Sequence, residues 1–261
     1  MAVDAPNPWL QLAESRALFE LGAFLAASPL LRAVGRGDRH PVLVLPGFTA
    51  DDYSTVPLRN VLRARGYWTH GWGLGRNLGP TERVLDGIHK RLEELARRHD
   101  EPVSLVGWSL GGIYARELAR DNPEAVRQVI TLGSPFRMTL SDRSTVSSLF
   151  DRLNGQGRYP DDLLRLAIEE ADKAQLTVPS TAIYSRSDGV VRWHMCIDTE
   201  SHRHENIEVR GSHSGLGFNP AVIFAVSDRL AQPPGDWRRF SAPLALRRFY
   251  PRPASWKANV A

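Results

Sequence analysis

The stretch Gly107-Trp108-Ser109-Leu110-Gly111-Gly112, directly behind the apolar run Val103-Ser104-Leu105-Val106, constrains this chain more than any other. A strand that turns sharply into a helix holds a serine hydroxyl clear of both elements only when the residues two before and two after it have almost no side chain. Residues 102–106 have the pattern of a buried strand. Ile113, Ala115 and Leu118, set among Arg116, Glu117 and Arg120, have that of a helix. The spacing predicts a G-x-S-x-G nucleophile elbow with Ser109 at its tip.

The surrounding chain alternates in the same way. Pro41-Val42-Leu43-Val44-Leu45 is a short apolar run closed by Pro46-Gly47, and further strand patterns fall at 67–74, 126–132, 181–184 and 207–209. Helical patterns lie between them at 56–65 and 81–98. Strands alternating with helices of about ten or more residues predict an α/β fold, a mostly parallel sheet with helices on both faces. Reactive groups in such sheets gather at the carboxyl ends of the strands.

A serine hydroxyl is a poor nucleophile at neutral pH, so Ser109 needs a neutral imidazole within reach and a carboxylate to orient it. Asp188 stands in Ser187-Asp188-Gly189, just after one late strand pattern, and His213 in Gly211-Ser212-His213-Ser214-Gly215, just after the next. The order Ser, Asp, His suits this architecture. His194, His202 and His204 compete with His213, and Asp198 or Glu200 with Asp188. Placement on a small-residue loop after a late strand favours His213, and leaves the other histidines as expected surface residues. Charge developing on a carbonyl oxygen also calls for two aimed backbone N–H groups. Leu110 at the start of the elbow helix and Phe48 in the Pro46-Gly47-Phe48 turn are the candidates.

Taken together, Val42-Leu43-Val44-Leu45-Pro46-Gly47-Phe48, the elbow, Ile130-Thr131-Leu132-Gly133-Ser134-Pro135, Ser187-Asp188-Gly189-Val190-Val191 and the His213 loop resemble an α/β-hydrolase of the bacterial lipase and carboxylesterase type. The resemblance runs from about residue 41 to 230. It implies Ser109, Asp188 and His213 as a catalytic triad, Phe48 and Leu110 as oxyanion donors, and hydrolysis of carboxylic esters through an acyl-enzyme. Where the family often has His-Gly in the first motif, this chain has Pro46-Gly47, as do lipase-like relatives. An acyltransferase or thioesterase would use the same residues, and a non-catalytic binding protein of this fold would have lost a triad member.

At 261 residues the chain suits a single α/β domain. Residues 1–40 are expected to be a helical segment, with Leu10, Ala13, Ala17, Leu18, Leu21, Phe24 and Leu25 forming one apolar stripe that packs on the body or meets a membrane. Residues 136–175 interrupt the alternation and predict a cap insertion over the site. The net charge of +4 belongs to the tail, where Arg238, Arg239, Arg247, Arg248, Arg252 and Lys257 oppose only Asp236. Its interleaved Trp237, Phe240, Phe249, Tyr250 and Trp256 suit either an anionic lipid surface or, the favoured expectation, packing on the domain. Nucleic acid is not an expected partner. The lone Cys196 is expected to be a buried spectator thiol. Acidic Asp4, Glu14 and Glu20 around the N-terminal apolar run argue against an export signal, so a cytoplasmic protein is expected. No cofactor or metal is called for: the spacing of His194, Cys196, His202 and His204 lacks the paired ligand pattern of a metal cluster.

Overall fold

Six strands pair side by side in a computed structural model that describes residues 6–33, 37–137, 170 and 173–256. They are β1 (Pro41–Leu45), β2 (Trp68–Gly71), β3 (Val103–Trp108), β4 (Val126–Leu132), β5 (Ser180–Tyr184) and β6 (His204–Glu208). Their order is β2-β1-β3-β4-β5-β6, with every pairing parallel. Alternate residues of each central strand enter different cores. Val42, Val44, Val106, Ile130 and Leu132 pack on one face with α3 (Val56–Ala64) and α6 (Pro220–Leu230). Leu43, Leu45, Leu105 and Val129 pack on the other with α4 (Glu82–His99) and α5 (Leu110–Asp121). Burial on both faces explains why these strands read as continuous apolar runs.

The helices follow from their own sequences. In α4, Ile88, Leu92 and Leu95 are buried at three- and four-residue spacing, and the Thr81 hydroxyl accepts from the Val84 N–H at the N-terminus. Arg97, Arg98 and His99 fill the last turn, where cations favour the helix dipole. Asp100 then ends the helix in the left-handed conformation, at φ 53°.

The last strand departs from expectation. The pattern at 207–209 caught only its end, because His204-Glu205-Asn206-Ile207-Glu208 is a polar strand with all five residues buried. Each polar group has a partner. His204 Nε2 lies 3.0 Å from the Leu176 carbonyl, Glu205 pairs with Arg229 at 2.8 Å, Asn206 exchanges two bonds with the Asp198 backbone, and Glu208 accepts from Tyr184 Oη at 3.0 Å. A fully paired polar strand is affordable in a core yet invisible to hydrophobic periodicity. His204 is therefore buried, whereas His194 and His202 are exposed as expected.

The tail lies along the domain. Phe240 meets Tyr250 edge-on at 4.8 Å, the Phe240 N–H donates to Glu205, Tyr250 Oη donates to the Ala221 carbonyl, and the Arg137 guanidinium stacks over Trp256. Arg238, Arg239, Arg247, Arg248 and Arg252 stay exposed. At the other end, α1 (Pro8–Leu12), a 3-10 turn (Ala13–Arg16) and α2 (Ala17–Ala33) precede the sheet. The stripe here splits. Phe24 packs into the core with Leu31, but Leu18, Phe19 and Leu25 remain exposed, Phe19 by 83%. Of the expected cap at 136–175, residues 138–169 and 171–172 lie outside the described residues, as do 1–5 and 257–261 of the two termini.

Candidate active site

Ser109 sits between β3 and α5 with φ 54° and ψ −120°, a region that a residue with a side chain occupies only under constraint. The constraint is visible at its neighbours. A Cβ on Gly107 would strike the Gly111 and Gly112 backbone, one on Gly111 the Leu45 carbonyl, and one on Gly112 the Ser134 side chain. The serine N–H donates to the Leu132 carbonyl at 2.9 Å, which ties the turn to β4. Ser109 itself is half-buried.

Asp188 and His213 follow β5 and β6 and meet across the carboxyl edge of the sheet. His213 Nδ1 lies 2.6 Å from Asp188 Oδ2, and Asp188 Oδ1 accepts from the backbone N–H groups of Val190 and Val191, each at 2.8 Å. One carboxylate oxygen is thus anchored by the backbone and the other is left for the imidazole. The Trp108 indole donates to the His213 carbonyl at 3.2 Å, so the residue before the serine touches the histidine loop. The Gly133 turn after β4 lies against the pair: a Cβ there would stand 3.2 Å from His213 Nδ1 and 3.3 Å from Asp188 Oδ2. Burial pulls the His213 pKa down, but the charge and hydrogen bond of Asp188, joined by the charge of Glu14, raise it above the ordinary histidine value.

The loop after β1 also reaches the serine. A Cβ on Gly47 would stand 3.2 Å from Ser109 Cβ, which brings the Pro46-Gly47-Phe48 turn alongside it. Leu110 is the first residue of α5, where helix N–H groups have no partner within the helix. A residue that no local pattern signals holds the loop in place. Asn77, fully buried, donates from Nδ2 to the Pro46 carbonyl at 2.9 Å, accepts at its backbone from Thr49 and receives Tyr114 Oη.

The competing acids, with His194 and His204, are occupied elsewhere, and His202 is exposed. Asp198 is buried against Arg116 at 2.7 Å, Glu200 faces Arg239 at 3.5 Å, and His194 stacks on Trp193. Cys196 is buried, and burial pushes its thiol pKa well up. Among the described residues no group of three or more His, Cys, Asp or Glu side chains is placed to hold a metal ion.

A second relay shows why hydrogen-bond order alone is not a site. Asp38 Oδ1 lies 2.5 Å from His40 Nδ1, and His40 Nε2 lies 2.8 Å from Ser104 Oγ. However, His40 and Ser104 are fully buried, and both lie at the amino end of the sheet. No substrate carbonyl can reach that hydroxyl.

No family model matches the chain. One relative, a pimeloyl-[acyl-carrier protein] methyl ester esterase of Sodalis glossinidius (strain morsitans), is 33% identical over 107 residues, 41% of this chain and 40% of that protein. The match thus spans well under half of the relative's length. Among solved structures, Aspergillus fumigatus lipase B superposes with a TM-score of 0.56 at 19% identity, over 79% of this chain and 55% of that one. A solved chain described with the metagenome-derived lipolytic enzymes LipS and LipT gives a TM-score of 0.58 at 18% identity, over 75% of this chain and 95% of that one. With its parallel sheet and strained strand-to-helix turn, the chain has the α/β-hydrolase fold that these lipolytic structures share.

Proposed function

We propose that this chain is a serine ester hydrolase acting as a single domain, with Ser109 as nucleophile, His213 as general base and Asp188 as the carboxylate that orients the imidazole. The observation that carries the reading is the buried His213–Asp188 hydrogen bond of 2.6 Å on the same sheet edge as the strained Ser109. Ser109 Oγ attacks the ester carbonyl as His213 Nε2 takes its proton. The N–H groups of Leu110 and Phe48 receive the oxyanion, His213 returns the proton to the leaving alcohol, and water then releases the acid by the same path. The relative's name supports an ester as substrate.

Acyl-chain profiling with p-nitrophenyl esters tests this function. Turnover of at least one chain length is expected, with release of free acid in water. Transfer of the acyl group to an added alcohol or amine in preference to water would instead make the chain an acyltransferase, and preference for acyl thioesters a thioesterase.

Tail packing also bears on where the substrate is met. Truncation after Gln232 removes Phe240 and Tyr250 from the core edge and leaves the Glu205–Arg229 pair without its cover. The melting temperature is expected to fall by several degrees, roughly what 1–2 kcal/mol costs a protein of this size. Activity on a soluble short-chain ester and on an emulsified ester should fall together. Loss on the emulsion alone, at an unchanged melting temperature and with salt-sensitive liposome binding, would instead assign the tail to an anionic lipid surface. Among the described residues no helix is long and apolar enough to cross a membrane.

A further inference from the structure

The segment ahead of the first strand is tied to the two loops that carry Asp188 and His213, and its charged side chains point inward to make the tie. Glu14 Oε1 accepts from the Gly189 N–H at 2.8 Å and from the His213 N–H at 2.9 Å, while Oε2 accepts from Ser214 N–H at 2.9 Å. Arg16 donates to the Ser187 carbonyl and, at 3.0 Å, to the Gly211 carbonyl. Glu20 accepts from the Ser212 N–H at 2.7 Å and from Asn219 Nδ2. Three side chains thus hold six backbone groups, two on the acid loop and four on the base loop.

The glycines of those loops fit this contact. A Cβ on Gly189 would collide with the Leu10 carbonyl, and one on Gly215 with the Glu20 carboxylate. Neither glycine has a positive φ, so what they supply is space for the N-terminal segment. Turning charges inward leaves Leu18, Phe19 and Leu25 facing outward, an arrangement that costs solvation and needs a compensating gain inside.

The geometry points to Glu14 as a positioning residue for the reaction under Proposed function, on which this inference rests. One of its oxygens joins the residue after the acid to the base itself, so the 2.6 Å His213–Asp188 bond is spanned by a second link through Glu14. Burial works against the carboxylate, but the N–H groups of Ser214, His213 and Gly189 hold its pKa below the usual range, so Glu14 is charged at neutral pH. That charge favours the imidazolium that forms when Ser109 attacks. Catalytic groups must be held within about 0.5 Å of their working geometry, and displacing them by about 1 Å costs on the order of 100-fold in rate.

Glu14→Gln is the informative change, because it keeps the volume and one acceptor oxygen but removes the charge and turns an amide toward the Ser214 N–H. Measured on a soluble p-nitrophenyl ester, kcat is expected to fall roughly 10- to 100-fold with KM held within about threefold. The acid limb of the kcat/KM profile should move to lower pH. Glu14→Ala should do at least as much. Fluorophosphonate labelling counts the folded sites, so that rates are expressed per competent molecule. A lower melting temperature with unchanged kcat per site and an unmoved pH limb would overturn the proposal and leave Glu14 a structural brace. Titration of the His213 ring by NMR reads the same charge without any substrate. Its pKa should drop in Glu14→Gln even if the wild type turned over no ester, a result that would sink the hydrolase reading alone. An unchanged titration would sink the Glu14 proposal alone.

Discussion

Ser109→Ala is expected to lower ester turnover on the order of 10⁴- to 10⁶-fold, because in the proposed mechanism Ser109 is the nucleophile and the members of a catalytic triad act as a unit. That is about 5–8 kcal/mol of activation free energy. The fold should survive. Alanine is no larger than serine at the crowded turn between Gly107 and Gly112, and the serine N–H bond to the Leu132 carbonyl is a backbone contact that the change leaves in place. Circular dichroism and a melting curve on the same preparation separate lost chemistry from lost structure. Retention of more than about a tenth of the activity by a folded variant would contradict the assignment.

His213→Ala is expected to cost kcat about as much, again on the order of 10⁴-fold or more, whereas His194→Ala and His202→Ala, both on the surface, should leave it near the wild-type value. His204→Ala belongs to a third class. It removes a buried ring that reaches the Leu176 carbonyl, so it should lower stability by about 1–3 kcal/mol with kcat per folded molecule retained. As the proposed base, His213 would work unprotonated in the wild type. Because Asp188 and Glu14 outweigh burial and raise the His213 pKa, kcat/KM should climb with pH through an apparent pKa above the ordinary histidine value of about 6.5. The sign for stability is opposite. A raised folded-state pKa stabilises the protonated form, so this contribution is full below the unfolded-state pKa and fades as pH rises through the folded one. A flat rate profile to acid pH in folded protein would count against His213.

The parts of this molecule that were legible in its sequence are those where a backbone requirement and a side-chain pattern coincide. The elbow at Ser109 needs small residues at fixed places, and the central strands need apolar residues on both faces, so both leave short-range signatures. Strand β6 leaves none: its Glu205, Asn206 and Glu208 are satisfied by Arg229, the Asp198 backbone and Tyr184, which lie 8 to 24 residues away. Asn77 and Glu14 were hidden for the same reason. Each acts through bonds to a loop far along the chain, 31 residues away for Asn77 and Pro46 and 199 for Glu14 and His213, and neither position has a local spacing that marks it. The glycines around His213 were legible as small residues but for a different use, since Gly215 makes room for the Glu20 carboxylate. In the sequence the N-terminal stripe reads as one face, whereas in the structure Phe24 and Leu31 point inward and Leu18, Phe19 and Leu25 outward. Helical spacing tells which residues share a face, but not how much of an apolar circumference finds a partner.

Covalent capture of the nucleophile tests the central claim most directly. Incubation of the full chain with a fluorophosphonate, followed by intact mass measurement and peptide mapping, should give one adduct per chain, on Ser109. Ser109→Ala should take up none, and His213→Ala should react far more slowly. Modification at another residue, or brisk ester turnover by protein whose Ser109 stays unmodified and uninhibited, would contradict the account.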